Sequence, residues 1–207
     1  MTQNGAEDRT LSEMQKTLGG LDRDVLNAYM NAYLAELTGK DSALKCANSL
    51  WIDSRLDVKT SFLQKNADFY SAQAYKADFT RKNTVNEINS WVNKNTNGMI
   101  KKLVDEFDPL TVMVLMNALC LEAEWDDPYT DNCVREGTFK NAKGNLVKAE
   151  YMYSQETEYI ETENATGFVK YYKGGKFAFV ALLPNEGTNI DSYIASVSYT
   201  HLTLPTK

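Results

Sequence analysis

The stretch "TVMVLMNALCLEAEWDDPY", Thr111 to Tyr129, decides the fold. From Val112 to Leu121 it is apolar with one exception, Asn117. Such a run, bounded by the turn signal Asp108-Pro109, reads as a buried strand. An amide inside a buried strand costs roughly 1–3 kcal/mol unless it finds a partner. Strand propensity does not explain Asn117, and Trp125 follows it a few residues later.

Upstream of this strand the pattern is mostly helical. Thr10-x-x-Glu13 predicts a capping box opening a short helix that Gly19-Gly20 ends. Asp22 to Thr38 predicts a second helix with Val25, Leu26, Tyr29, Tyr33 and Leu37 along one face. "ALKCANSLWI" then alternates as a strand, with Leu44, Cys46, Leu50 and Ile52 on one side and a second asparagine, Asn48, among them. Lys59 to Tyr70 returns to helix, and "AQAYKADF" to strand. Thr84 to Asn95 is the clearest helix, with Thr84-x-x-Glu87 as its expected capping box and Gly98 at its exit. Met99 to Val104 reads as a short amphipathic turn. Downstream of Tyr129 come short strands with turn signals: a hairpin about Asn141–Gly144, "TEYIETE", "GFVKYY", and a Gly174-Gly175 turn into "KFAFVALLP". Helices interleaved with long strands, then an antiparallel run, predict an α+β fold.

Composition narrows function by exclusion. The chain has 207 residues, 43% hydrophobic and 24% charged, with a net charge of -6, so no basic surface argues for nucleic acid. No apolar run approaches the ~20 residues of a membrane span. The N-terminus lacks a signal-peptide layout. Cys46, Cys120 and Cys133 are too few and too widely spaced for a zinc site or a disulfide framework, and read as buried or free thiols. The only histidine is His201. A histidine-dependent hydrolase therefore has no base in the first 200 residues. The four acids between Glu156 and Glu163 read as a solvated strand or turn, and no glycine-rich loop has a phosphate-cradling layout. No cofactor is expected.

Taken in order, "ANSLWID", "INSWVNKNTNGMIKKLV", "VMVLMNALCLEAEWDDPY", "EGTFKNAKGNLVKAEYMY" and "GFVKYYKGGKFAFVALLPNEG" resemble the serpin family of protease inhibitors. The likeness runs from about Gly5 to Val197. It implies the serpin fold, a large central β-sheet with smaller sheets and surrounding helices, truncated here at both ends. The helices at Asp22, Lys59 and Thr84 then look like helices D, E and F. The strands at Leu44, Ala72 and Val112 look like strands 2, 1 and 3 of the central sheet. On this reading residues 1–197 form a partial serpin domain. Residues 198–207, "YTHLTLPTK" and the residue before it, fit no serpin continuation and look like an extraneous tail.

The resemblance also implies a function. A serpin inserts its cleaved reactive loop as a new strand into the central sheet and carries an acylated protease with it. Asn117 matches the family's shutter asparagine, and Trp125 its breach tryptophan. The intact parent is then expected to inhibit a serine-type endopeptidase (or a cysteine protease), outside the cell, without itself being an enzyme. The reactive-site loop lies outside this chain, and so do the family's partners for the shutter asparagine. The alternatives are a non-inhibitory serpin, carrier or chaperone, and a truncated interaction module. With an open sheet edge, the fragment is expected to self-associate.

Overall fold

Leu44, Cys46, Asn48, Leu50 and Ile52 do share one side of a strand, β1, Leu44–Asp53. The computed structural model describes residues 1–39 and 42–196, and it falls into two units, Met1–Glu122 and Ala123–Lys207. In the first unit β1 is the middle strand of the order β2-β1-β3. β2, Gln73–Ala77, runs parallel to it, and β3, Met113–Leu121, antiparallel. A parallel neighbour requires a crossover, supplied by helix α3, Thr60–Tyr70. Trp51 stands opposite Tyr75 in the β1–β2 register, and their rings stack at 4.4 Å.

One face of this sheet is covered by α4, Lys82–Asn95. Its Ile88, Trp91 and Val92 pack with Trp51, Ala77, Phe79, Met116 and Ala118. Each large apolar side chain buried this way contributes about 1.5–3 kcal/mol. The other face packs Leu50, Ile52 and Ala72 against Phe62, Leu63, Met113 and Leu115. Beyond Leu115 that cover ends: Asn117 is exposed, and Leu119 and Leu121 are 57% and 38% exposed. β3 is thus buried on one face only along its second half, which corrects the expectation of a buried strand.

Several helix starts differ from the sequence reading. α1 begins at Asp8 and runs to Thr17, so Thr10 lies inside it, and Glu13 accepts from Arg9 instead of from a cap. α4 begins at Lys82 because Thr84 is drawn elsewhere: its hydroxyl donates to the Asp78 carbonyl at 2.7 Å. α2, Arg23–Leu37, does take Asp22 as its N-cap, through a bond from the Asp24 amide. Its inward face, however, carries Leu26 and Asn27, while Val25, Tyr29 and Tyr33 remain exposed. The cause is Asn27, which is fixed by hydrogen bonds described below. Met99 to Val104 forms no regular element.

The second unit is antiparallel. β4, Val134–Lys140, and β5, Leu146–Met152, form the expected hairpin, with the Asn141 side chain accepting from the amides of Lys143 and Asn145. β6, Glu158–Glu161, β7, Ala165–Tyr171, and β8, Ala178–Pro184, follow as a meander. Gly174 and Gly175, at φ +84 and +67, make the β7–β8 turn in a region other residues rarely adopt. Helix α5, Ile190–Ser196, ends the described chain. Val197, His201 and the tail 198–207 lie outside the described residues.

Candidate functional site

Two constellations hold the predicted site residues, one in each unit. In the first, Asn117 stands directly opposite Asn48 in the β1–β3 register. Its Nδ2 donates to the Asn48 Oδ1 at 2.8 Å and lies 3.4 Å from the Cys46 Sγ. The Asn48 Nδ2 in turn donates to the backbone carbonyl of Tyr70 at 2.9 Å. A carbonyl only accepts, so this bond fixes the orientation of the Asn48 amide and turns its oxygen toward Asn117.

Tyr70 carries the network further. Its hydroxyl donates to Asn27 Oδ1 at 2.8 Å, Asn27 Nδ2 donates to Asn4 Oδ1 at 2.8 Å, and Asn4 Nδ2 donates to Asn66 Oδ1 at 3.1 Å. Asn66 Nδ2 ends the chain on the Phe62 carbonyl. Asn27 and Asn66 are fully buried, and Asn4 and Asn48 nearly so. Burial raises the Tyr70 phenol above its ordinary value, which keeps the hydroxyl a donor. A satisfied buried amide network specifies one arrangement of its elements, because each alternative leaves a polar group unpaired. The sequence reading singled out Asn48 and Asn117 but not their pairing, and missed Asn4, Asn27, Asn66 and Tyr70 altogether. The visible signal was Asn27, the one polar residue in the run from Val25 to Met30.

In the second unit Trp125 bridges to Tyr172, flanked by backbone bonds from Asp126 to the Tyr171 carbonyl and from Lys173 to the Glu124 carbonyl. The indole stacks on the Tyr172 ring at 4.3 Å and meets Phe179 and Tyr129 edge-on at 6.0 and 6.4 Å. Into this aromatic group comes Lys170, only 3% exposed, with its Nζ 4.7 Å from the Tyr129 ring and 5.8 Å from that of Trp125. Glu156 accepts from the same Nζ at 2.7 Å. That bond holds Lys170 above the ordinary lysine range and the Glu156 carboxyl below the ordinary carboxylate range. Glu156 is therefore not part of a solvated strand, as its acidic neighbourhood suggested. Lys170 was legible as an alternation anomaly, since it shares one side of β7 with Phe168, and Tyr172 follows in the same alternation just past the strand's end.

The expected thiols are free: Cys120 is buried, and Cys46 and Cys133 are half-buried. Hydrogen bonds from Thr130 hold the Cys133 thiol below its ordinary value.

This architecture has known counterparts. The sequence matches the family profile described as serpin (serine protease inhibitor) over residues 1–206. It is similar to Serpin-ZX of Arabidopsis thaliana, 32% identical over 165 residues, covering 75% of this chain and 42% of that protein. It is similar to the thyroxine-binding globulin of Sus scrofa, 32% identical over 154 residues, covering 72% of this chain and 37% of that protein. The structure resembles that of the thermophilic serpin tengpin in its native state, with a TM-score of 0.89 and 41% identity, covering 95% of this chain and 51% of that one. The chain thus spans about half the length of these relatives, or less. With its profile match running almost end to end and its α+β architecture shared, the chain belongs to the serpin family.

Proposed function

We propose that this chain is the middle portion of a serpin that inhibits a serine-type endopeptidase, or a cysteine protease, by inserting its cleaved reactive loop into the central sheet. Asn117 acts as the shutter and Trp125 as the breach. One observation carries this reading. β3 lies at an edge of its sheet among the described residues, and Asn117 stands exposed on it with its amide bonded to Asn48 and Cys46 of β1. Side-chain bonds of this kind are exchangeable, so Asn117 can change partners when a new strand enters on the free side of β3. In the whole serpin, Asn117→Ala is expected to lower the native-state melting temperature and raise the fraction that polymerises. A parent variant with unchanged melting and unchanged stoichiometry of inhibition would remove the shutter role.

The chain alone is proposed to be inactive, because it spans only about half the length of its relatives, or less. Incubated with serine and cysteine proteases, it is expected to give no SDS-resistant band of higher mass. Such a band would overturn this. Its other proposed behaviour is association with further copies through the β3 edge. Secretion of the parent belongs to the same proposal and is tested by finding it in the medium of producing cells.

A second reading, a non-inhibitory carrier, is favoured by the likeness to thyroxine-binding globulin. The small-residue hinge that precedes the bait in the parent separates the two. A bulky or charged hinge would favour the carrier.

A further inference from the structure

Lys170 sits where a lysine is costly. It lies on a strand face with Phe168 and Tyr172, opposite Phe179, and is all but inaccessible to water. A buried ammonium persists only if charge and hydrogen-bond partners surround it. Here the cluster joins three separated segments. Glu156, 16% exposed, precedes β6, Tyr129 and Trp125 belong to the segment that follows β3, and Lys170 itself is on β7. Asp127, on the same segment as the two rings, adds negative field.

Aromatic stacking alone would not place Trp125 uniquely, because offset stacks slide at little cost. A cation is more demanding, since it must meet ring faces and a carboxylate at once. We propose that Lys170 is a positioning residue for Trp125: its ammonium, fixed by Glu156, ties the Trp125–Tyr129 segment to β7. The indole can then leave its stack on Tyr172 only when the three-way contact at Nζ opens. The inference rests on the breach role of Trp125 for its functional meaning, though the anchoring itself stands on geometry.

Hydrogen exchange on the full 207-residue chain tests it, comparing peptides that cover 123–130 with peptides that cover β1. Lys170→Met keeps the length and removes the charge. It is expected to speed exchange around Trp125–Tyr129 by about tenfold or more, as for other broken buried pairs, while β1 is unaffected. Lys170→Arg, which keeps the cation and its ring contacts, is expected to restore most of the protection. Unchanged protection in Lys170→Met, or Lys170→Arg exchanging as fast as Lys170→Met, would overturn the proposal. If Lys170→Met fails to fold, Glu156→Gln decides, because it leaves the lysine stem in place. Faster exchange at 123–130 supports the anchoring, and wild-type protection overturns it. The breach role fails separately: a whole serpin with Lys170→Met that keeps its stoichiometry of inhibition, despite a loosened 123–130 segment, removes that role and leaves the anchoring intact.

Discussion

Asn117 and Asn48 face each other across the β1–β3 pairing, and the amide nitrogen of the first donates to the amide oxygen of the second at 2.8 Å. Because the Tyr70 carbonyl fixes which way Asn48 points, position 117 must bring a donor. The two ends of this bond are unequal. Asn117 is exposed and water can replace it, so Asn117→Ala is expected to cost about 0.5–1.5 kcal/mol of stability. Asn48 is buried and holds two partners, so Asn48→Ala is expected to cost more, roughly 1–3 kcal/mol. Asn117→Asp sets two acceptors face to face and should be worse than Asn117→Ala at neutral pH. Urea unfolding of the three variants checks the order.

The buried amides of Asn4, Asn27 and Asn66 form one network and should not behave as independent sites. Asn27→Ala and Asn66→Ala are each expected to destabilise by roughly 1–3 kcal/mol, and the double variant by less than the sum. A double-mutant cycle measures the coupling. Strict additivity would mean that the three amides do not act together.

Asp53 ends β1 with its carboxylate buried and gripped by Arg55. Oδ1 accepts from the Arg55 amide and Nε at 2.8 and 2.7 Å, and Oδ2 from the other guanidinium nitrogen at 2.9 Å. These bonds lower its pKa from 3.8 to about 2. A depressed carboxylate contributes stability that is complete above its ordinary value and is lost as pH falls through the folded value. The unfolding midpoint of the first unit is therefore expected to drop between about pH 4 and pH 2. Asp53→Asn should flatten that part of the profile, as followed by urea titration at several pH values.

Gly167 and Gly137 look alike in sequence and should respond differently to alanine. At Gly167 a Cβ would lie 2.1 Å from the Ala181 carbonyl oxygen, which belongs to the paired strand and cannot swing aside. Gly167→Ala is expected to cost about 1–3 kcal/mol or to part β7 from β8. At Gly137 the obstacle is the Tyr151 ring at 2.6 Å, the end of a side chain that can move. Gly137→Ala should then cost only the Tyr151 hydroxyl bond to the Thr138 carbonyl. Thermal melts of the two variants give the comparison.

The edge of β3 sets the solution behaviour of the chain. Leu119 and Leu121 are exposed beside it, next to unpaired strand backbone among the described residues. Oligomers are expected by size exclusion with light scattering, and Leu119→Lys with Leu121→Lys should reduce them, since lysine at an edge opposes strand addition. A sharp monomer peak from the unmodified chain would show the edge to be closed in solution.

The strands were readable because each carried an alternation or a long apolar run between turn residues, and β1, β3 and the β4–β5 hairpin lie where those patterns put them. The helix starts were less readable. Thr84 and Thr10 offer capping-box spacing, yet Thr84 spends its hydroxyl on a carbonyl six residues back, a contact that no local rule contains. The inward face of α2 was misread for a related reason. Hydrophobicity chose Tyr29 and Tyr33, whereas the fold chose Asn27, whose partners Asn4 and Tyr70 lie 23 and 43 residues away. At the candidate site, Asn117 and Trp125 stood out as residue types out of place. Lys170 and Glu156 needed the paired strands before their charges could be seen to meet.

The pairing of β1 with β3 also bears on the order in which the molecule assembles. In the second unit each strand pairs with its neighbour in sequence, so short loops close and hairpins form early. In the first unit Asn48 must find Asn117 across 69 residues, after the crossover through α3 and the excursion through α4. Such long-range closure is slow. Among the described residues β3 is then the last strand to join its sheet, and until it does β1 offers a bare edge to any neighbouring chain. The asparagine proposed to act as the shutter also marks the step that joins β3 to β1 on the way from the ribosome.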